Sequence, residues 1–143
     1  MTAYGCTMPL YLGTTVVNEQ ILIARDSNKS KDRDKTSIIF LARVEKVKGI
    51  YELIDSFHQL QKRYPRITLD IAGVGGELQN AKEYVARKNI LNVDFHGLLN
   101  GNHKSNMLQK AHIYLLPSWH GEGMPNSLLE AMASGLAIIT TEI

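Results

Sequence analysis

From residue 37 onward the spacing of apolar positions alternates between two patterns, and each change marks an element. Residues 37–43, "SIIFLAR", form a short apolar run suited to a buried strand, and Ile50, Leu53, Ile54, Phe57 and Leu60 then repeat at helical spacing up to the break at Pro65. Residues 67–73, "ITLDIAG", predict a second strand, and Leu78, Ala81, Tyr84 and Val85 mark a helix running to about Lys88. A third short strand is expected over 92–97, a brief helix over 103–110, and a fourth strand over 111–118. "NSLLEAMASG" is a compact helix ended by Gly135, and "LAIIT", residues 136–140, is a fifth strand. Continuous apolar strands separated each time by a helix predict the α/β class, a Rossmann-like parallel sheet covered on both faces.

Ahead of this regular part the pattern is different. The first 25 residues are apolar without a steady period, and residues 26–36, "DSNKSKDRDKT", hold no apolar residue at all. The expected organisation is an N-terminal segment with a charged linker over 1–36 and a domain over 37–143.

Composition narrows the function classes only a little. Sixteen Lys and Arg against 14 Asp and Glu leave a formal charge of +2, too small to argue for nucleic acid or an anionic membrane as a partner. One cysteine, Cys6, cannot close an internal disulfide, and no Cys and His spacing suggests a metal site. With no apolar run long enough to span a bilayer and no signal-peptide order at the start, a cytoplasmic location is the default expectation.

In doubly wound sheets ligands bind beyond the carboxyl ends of the strands, so three loops become candidates: 44–49, 74–77 and 119–127. Arg43 and Lys48 place two cations at this edge, suited to an anion such as phosphate, although an ordinary charged loop would look the same. Lys46 is read as a solvated third cation. "GVGGE", residues 73–77, offers glycines for a tight turn or a close ligand approach, but it is neither GxGxxG nor a P-loop.

The stretch "HGEGMPNSLLEAMASG", residues 120–135, carries Glu122 and Glu130. Ser127 followed by Glu130 has the spacing of a capping box, with Pro125 at or just before the first turn. Capping accounts for Glu130 but leaves Glu122 unexplained. Two acids could act as an acid and base pair, or accept hydrogen bonds from sugar or ribose hydroxyls beside a helix start, and spacing does not choose between these. His96 and His112 are read as structural, His120 as balanced between support and ligand contact, and Trp119 as packing.

Taken together, "FLARVEKVKGIYELIDSF", "ITLDIAGVGGE", "NVDFHG" and "IYLLPSWHGEGMPNSLLEAMASGLAIITT" resemble the C-terminal, nucleotide-sugar-binding half of a retaining GT-B glycosyltransferase of the glycogen-synthase-like and sucrose-synthase-like group, family 4. The resemblance covers residues 37–141, and the group's E-x7-E motif falls on Glu122 and Glu130. It implies that Arg43 and Lys48 bind the donor diphosphate and stabilise the leaving nucleotide, that Glu122 holds the donor sugar at the reacting centre, and that Glu130 contacts the ribose. Gly123, Met124, Pro125 and Asn126 would face the sugar, Ser127 and Leu128 the phosphates, and Gly73, Gly75, Gly97 and Leu98 the nucleotide. The implied donor is a UDP-, GDP- or ADP-sugar, with no other cofactor and no metal. The implied acceptor is a glycan or lipid-linked molecule held by a preceding domain, with a peripheral position at the membrane left open. Ala42 departs from the glycine common before the arginine. On this basis the chain is expected to be the donor-binding half of a longer enzyme and inactive in transfer by itself, the alternative being a non-catalytic nucleotide-binding or assembly module of the same fold.

Overall fold

The computed structural model describes residues 35–120 and 125–141. The apolar runs become five strands, β1 (Ser37–Leu41), β2 (Thr68–Ala72), β3 (Val93–Gly97), β4 (Ile113–Leu116) and β5 (Ala137–Thr140). Between them lie a 3-10 turn (Lys46–Lys48) and the helices α1 (Ile50–Arg63), α2 (Leu78–Arg87), α3 (Gly101–Lys110) and α4 (Asn126–Ala133). All strand pairs are parallel, in the order β3-β2-β1-β4-β5. The register runs from Ser37 beside Thr68 to Leu41 beside Ala72, and sets Ile38 against Ile113.

This order follows from two runs of crossovers in opposite directions: β1 to β2 to β3 on one side, β4 to β5 on the other. Right-handed connections then put α1 and α2 on one face of the sheet and α3 and α4 on the other. Contacts agree with this placement. The Tyr51 and Tyr84 rings of α1 and α2 meet edge to face at 5.2 Å, and Lys104 of α3 reaches Glu130 of α4. The strand order therefore reverses between β1 and β4, and the crevice at their carboxyl ends is the switch point where such sheets bind ligands.

The core sits where periodicity places it. Phe40, Ile54, Leu69, Ile71 and Tyr114 are fully buried in the sheet and on the inner side of α1, joined by Leu53, Phe57 and Leu108. Leu60 follows the same helical period but, in the last turn of α1, stays exposed along a groove with Tyr64, Ile67 and Ile113. Coverage on both faces holds for β1 and β2 but not for the edges. β3 alternates between half-buried and exposed residues, and Ile139 of β5 is 52% exposed. Among the described residues no helix is long and apolar enough to cross a membrane.

Candidate nucleotide-sugar site

The loop after β1 carries the first cation, and its course is fixed by backbone packing on both sides. On one side, the Val44 amide donates to the Val74 carbonyl at 3.0 Å and the Glu77 amide to the Val44 carbonyl at 3.0 Å. On the other, the Trp119 amide and the Ser118 hydroxyl both donate to the Val47 carbonyl, at 3.1 and 3.2 Å. Two glycines make these approaches possible. A Cβ on Gly73, at φ 150°, would lie 1.8 Å from the Ala42 carbonyl oxygen, and one on Gly49, at φ 73°, would lie 2.1 Å from that of Pro117. The glycine-rich turn of 73–77 thus first serves the neighbouring loop, whatever ligand it also meets.

A cleft of about 670 Å³ opens beyond the carboxyl ends of β1 and β2. Ala42, Arg43, Gly73 and Val74 form one wall, and Leu98, Leu99 and Asn100 a second. Lys104 of α3 with Asn126, Ser127 and Glu130 of α4 completes it. Of the residues singled out in the sequence, the fold brings Arg43, Gly73, Leu98, Asn126, Ser127 and Glu130 to this cleft. Gly75 does not line it: its α-carbon faces the Val44 carbonyl, so close that a Cβ there would come within 2.4 Å. Gly97 sits one residue behind the wall, its carbonyl accepting from the Gly73 amide at 2.7 Å. Lys48 is buried, 8% exposed, at the end of the 3-10 turn, and Leu128 is half-buried on α4. Glu122, Gly123 and Met124 lie outside the described residues.

The capping expectation for α4 is corrected by the structure. Pro125, not Ser127, precedes the helix, and among the described residues no side chain caps it. The Ser127 hydroxyl instead shares a hydrogen bond with the Tyr114 hydroxyl of β4 at 2.8 Å. Glu130 Oε1 accepts from Lys104 Nζ at 2.6 Å, a pair in which the carboxylate residue is only 6% exposed. The reason is competition: a buried carboxylate gains more from an ammonium across the cleft than from one amide at a helix start. Arg43 also has an unforeseen partner, donating from Nη1 to Glu45 Oε1 at 2.8 Å, while its side chain stays exposed.

The other residues of the three loops sort into supports and exposed groups. His112 accepts the Ser37 amide on Nδ1 at 3.2 Å and His96 Nε2 lies 2.8 Å from Asp70 Oδ1, both structural contacts. His120 is exposed, and Trp119 is 60% exposed rather than packed. Lys46 reaches Glu77 at 3.8 Å.

Behind the 73–77 turn, α1 and α2 are tied by a polar network. The Tyr51 hydroxyl donates to Glu77, and Tyr84 and Lys88 both donate to Asp55, the latter at 2.7 Å. Burial and the Glu77 hydrogen bond push the Tyr51 phenol up to about 12. The Tyr51 hydrogen bond in turn holds the Glu77 carboxyl below its ordinary value, and the Lys88 hydrogen bond does the same for Asp55. Among the described residues no three His, Cys, Asp or Glu side chains gather as a metal-holding group.

Lys104 is the cleft residue that the sequence did not disclose. It lies on the least regular of the helical patterns, and its partner is 26 positions away, beyond the reach of any local spacing rule.

The comparisons with known proteins bear on the same elements. The chain matches the Glycosyl transferases group 1 family over residues 23–143. An uncharacterized glycosyltransferase of Methanocaldococcus jannaschii is 30% identical over 116 residues, 79% of this chain and 29% of that protein. The GtfA subunit of the UDP-N-acetylglucosamine–peptide N-acetylglucosaminyltransferase of Streptococcus agalactiae is 31% identical over 112 residues, 78% of this chain and 22% of that protein. In the solved structures, the pneumococcal O-GlcNAc transferase GtfA in complex with UDP and GlcNAc is similar at a TM-score of 0.71 and 30% identity, over 80% of this chain and 22% of that one. The chain spans less than a third of the length of these relatives. Because the family match takes in every strand, helix and loop that builds the cleft, the chain belongs to the Glycosyl transferases group 1 family, and its sheet corresponds to the C-terminal donor-binding domain of the GT-B fold.

Proposed function

We propose that this chain is the donor-binding half of a retaining, family 4 glycosyltransferase, which moves a sugar from a nucleoside diphosphate sugar to a glycan or lipid-linked acceptor. The observation that carries the reading is the convergence of Arg43, the Gly73 backbone, Ser127 and Glu130 on one cleft at the carboxyl edge of the sheet. Such a site pairs a cation with groups that accept from hydroxyls, the two needs of a nucleoside diphosphate. The relative of known structure that carries UDP and GlcNAc supports the choice of donor class.

In this reading Arg43 and Lys48 stabilise charge on the departing diphosphate, each such donor contributing roughly 3 to 4 kcal/mol in a closed cleft. Arg43 leaves Glu45 to do so. Glu130 accepts the ribose hydroxyls, Ser127 lies toward the phosphates, and Glu122 with Gly123, Met124, Pro125 and Asn126 addresses the sugar. Leu98 borders the nucleotide, while Gly75, Gly97 and Leu128 support the walls from behind. In this reading the domain begins at Ser37, where β1 starts, and residues 1–36 are the preceding segment and charged linker. The acceptor is held by a second domain, so the chain alone binds donor without transferring it.

Calorimetric titration of the 143-residue chain with UDP, GDP and ADP tests this. Binding of one of them, weakened more than tenfold when its diphosphate is removed, is the expected result. A folded sample that binds none of the three overturns the reading.

A further inference from the structure

We infer that Lys104 is a positioning residue for nucleotide recognition: its ammonium orients the Glu130 carboxylate so that the site reads the ribose hydroxyls. The inference rests on the nucleotide-sugar reading above and names a residue which that reading does not use.

Three observations carry it. First, Lys104 Nζ and Glu130 Oε1 meet at 2.6 Å inside the cleft, where the side chains retain only 24% and 8% of their exposure. An exposed pair of this kind would hold its partner loosely, whereas a pair withdrawn from water is held in one geometry. Second, the two residues come from different helices, α3 and α4, and α3 follows directly on the Leu98 to Asn100 wall. The pair therefore fixes the distance between the wall where a nucleoside would lie and the helix that carries the carboxylate. Third, Lys104 balances the charge of the cleft. Among the described residues, the ionisable ones lining it are Arg43, Lys104 and Glu130. Without Lys104, the Glu130 carboxylate would lose its direct ion pair beside the place where a diphosphate must enter.

A carboxylate has about four lone-pair sites over its two oxygens, so an ammonium on Oε1 still leaves acceptor capacity for hydroxyls. Fixing one oxygen lowers the freedom that the other must lose when a ribose docks. Lys104 thus acts through Glu130 and not by touching the reacting atoms.

The test compares each of UDP, GDP and ADP with its 2′-deoxy counterpart on the full chain, in wild type, Lys104→Met, Lys104→Arg, Glu130→Gln and the Lys104→Met/Glu130→Gln double variant. Wild type should prefer the ribonucleotide that it binds by about tenfold or more, the scale of one hydrogen bond to a charged group. Lys104→Met should reduce that preference to within about twofold and Lys104→Arg should keep most of it. Glu130→Gln should lose the preference, and adding Lys104→Met to it should change the ratio no further. A purely structural ion pair would lower stability without moving the ribose to deoxyribose ratio. Should Lys104→Met fail to fold, the arms with Lys104→Arg and Glu130→Gln decide: an unchanged ratio in Glu130→Gln, or a lost one in Lys104→Arg, overturns the inference. A folded Lys104→Met that keeps the wild-type ratio overturns it while leaving the donor reading intact. Wild type that binds no nucleotide overturns both.

Discussion

At the amino ends of the strands a groove of about 550 Å³ runs between Leu60, Tyr64, Pro65, Ile67 and Ile113, with Arg63 and Arg66 beside it. At the carboxyl ends the cleft of about 670 Å³ is bordered by Arg43, Gly73, Asn126, Ser127 and the Lys104 and Glu130 pair. The same sheet makes both, and both hold basic residues, yet only one gathers donors and acceptors suited to a nucleotide. Direction explains the difference. In a parallel sheet with helical crossovers, the turns that leave the strands and the helix amino ends collect at one edge, and the helix carboxyl ends collect at the other. Apolar lining is a general sign of a binding pocket, but in this architecture the polarity of the strands is the more decisive guide.

The contrast can be broken most strongly at Gly73. Gly73→Ala should lower stability by about 3 kcal/mol or more, since the new methyl would collide with the Ala42 carbonyl at a left-handed backbone angle. A urea midpoint that hardly moves would show that the two loops are not locked as described. Next in size, Lys48→Ala should weaken nucleoside diphosphate binding by about tenfold or more while changing nucleoside binding much less. Equal losses for both ligands would count against a phosphate role.

A smaller effect is expected from the network that braces the 73–77 turn. Because the folded-state pKa of Tyr51 is raised to about 12, its stabilisation is fully present below pH 10 and is lost as pH rises from 10 through about 12. Tyr51→Phe should flatten that alkaline limb of a Tm against pH curve. Asp55 and Glu77 have the opposite sign. Their lowered folded-state values contribute stability that is present above the ordinary 3.8 and 4.5 and lost as pH falls below them. Smallest of all, Arg63→Gln at the amino-end groove should leave nucleotide affinity within about twofold and stability within about 0.5 kcal/mol, the usual range for a surface change. A tenfold loss of affinity there would erase the distinction between the two ends.

Much of the architecture was legible because burial repeats with the period of the element. The spacing of Ile50, Leu53, Ile54 and Phe57 states both the helix and its inner side, and the runs at 37–43 and 67–73 state interior strands. The edges were less legible, since β3 and β5 have one neighbour each and their apolar residues need not be covered. At the cleft the residue types were visible but their pairings were not. Arg43 spends its guanidinium on Glu45, and Gly75, named as a nucleotide contact, is taken up by the Val44 carbonyl.

The sequence by itself determined the α/β alternation, the loops that must gather at the carboxyl edge, and the cations and carboxylates available there, because periodicity and loop chemistry are local properties. Only the tertiary structure decided what those groups do to one another. The Ser127 to Glu130 spacing describes a cap, yet Tyr114 takes the hydroxyl and Lys104 the carboxylate. A local rule holds only where no distant group offers a better partner, and for the buried Glu130 carboxylate an ammonium at 2.6 Å is the better partner.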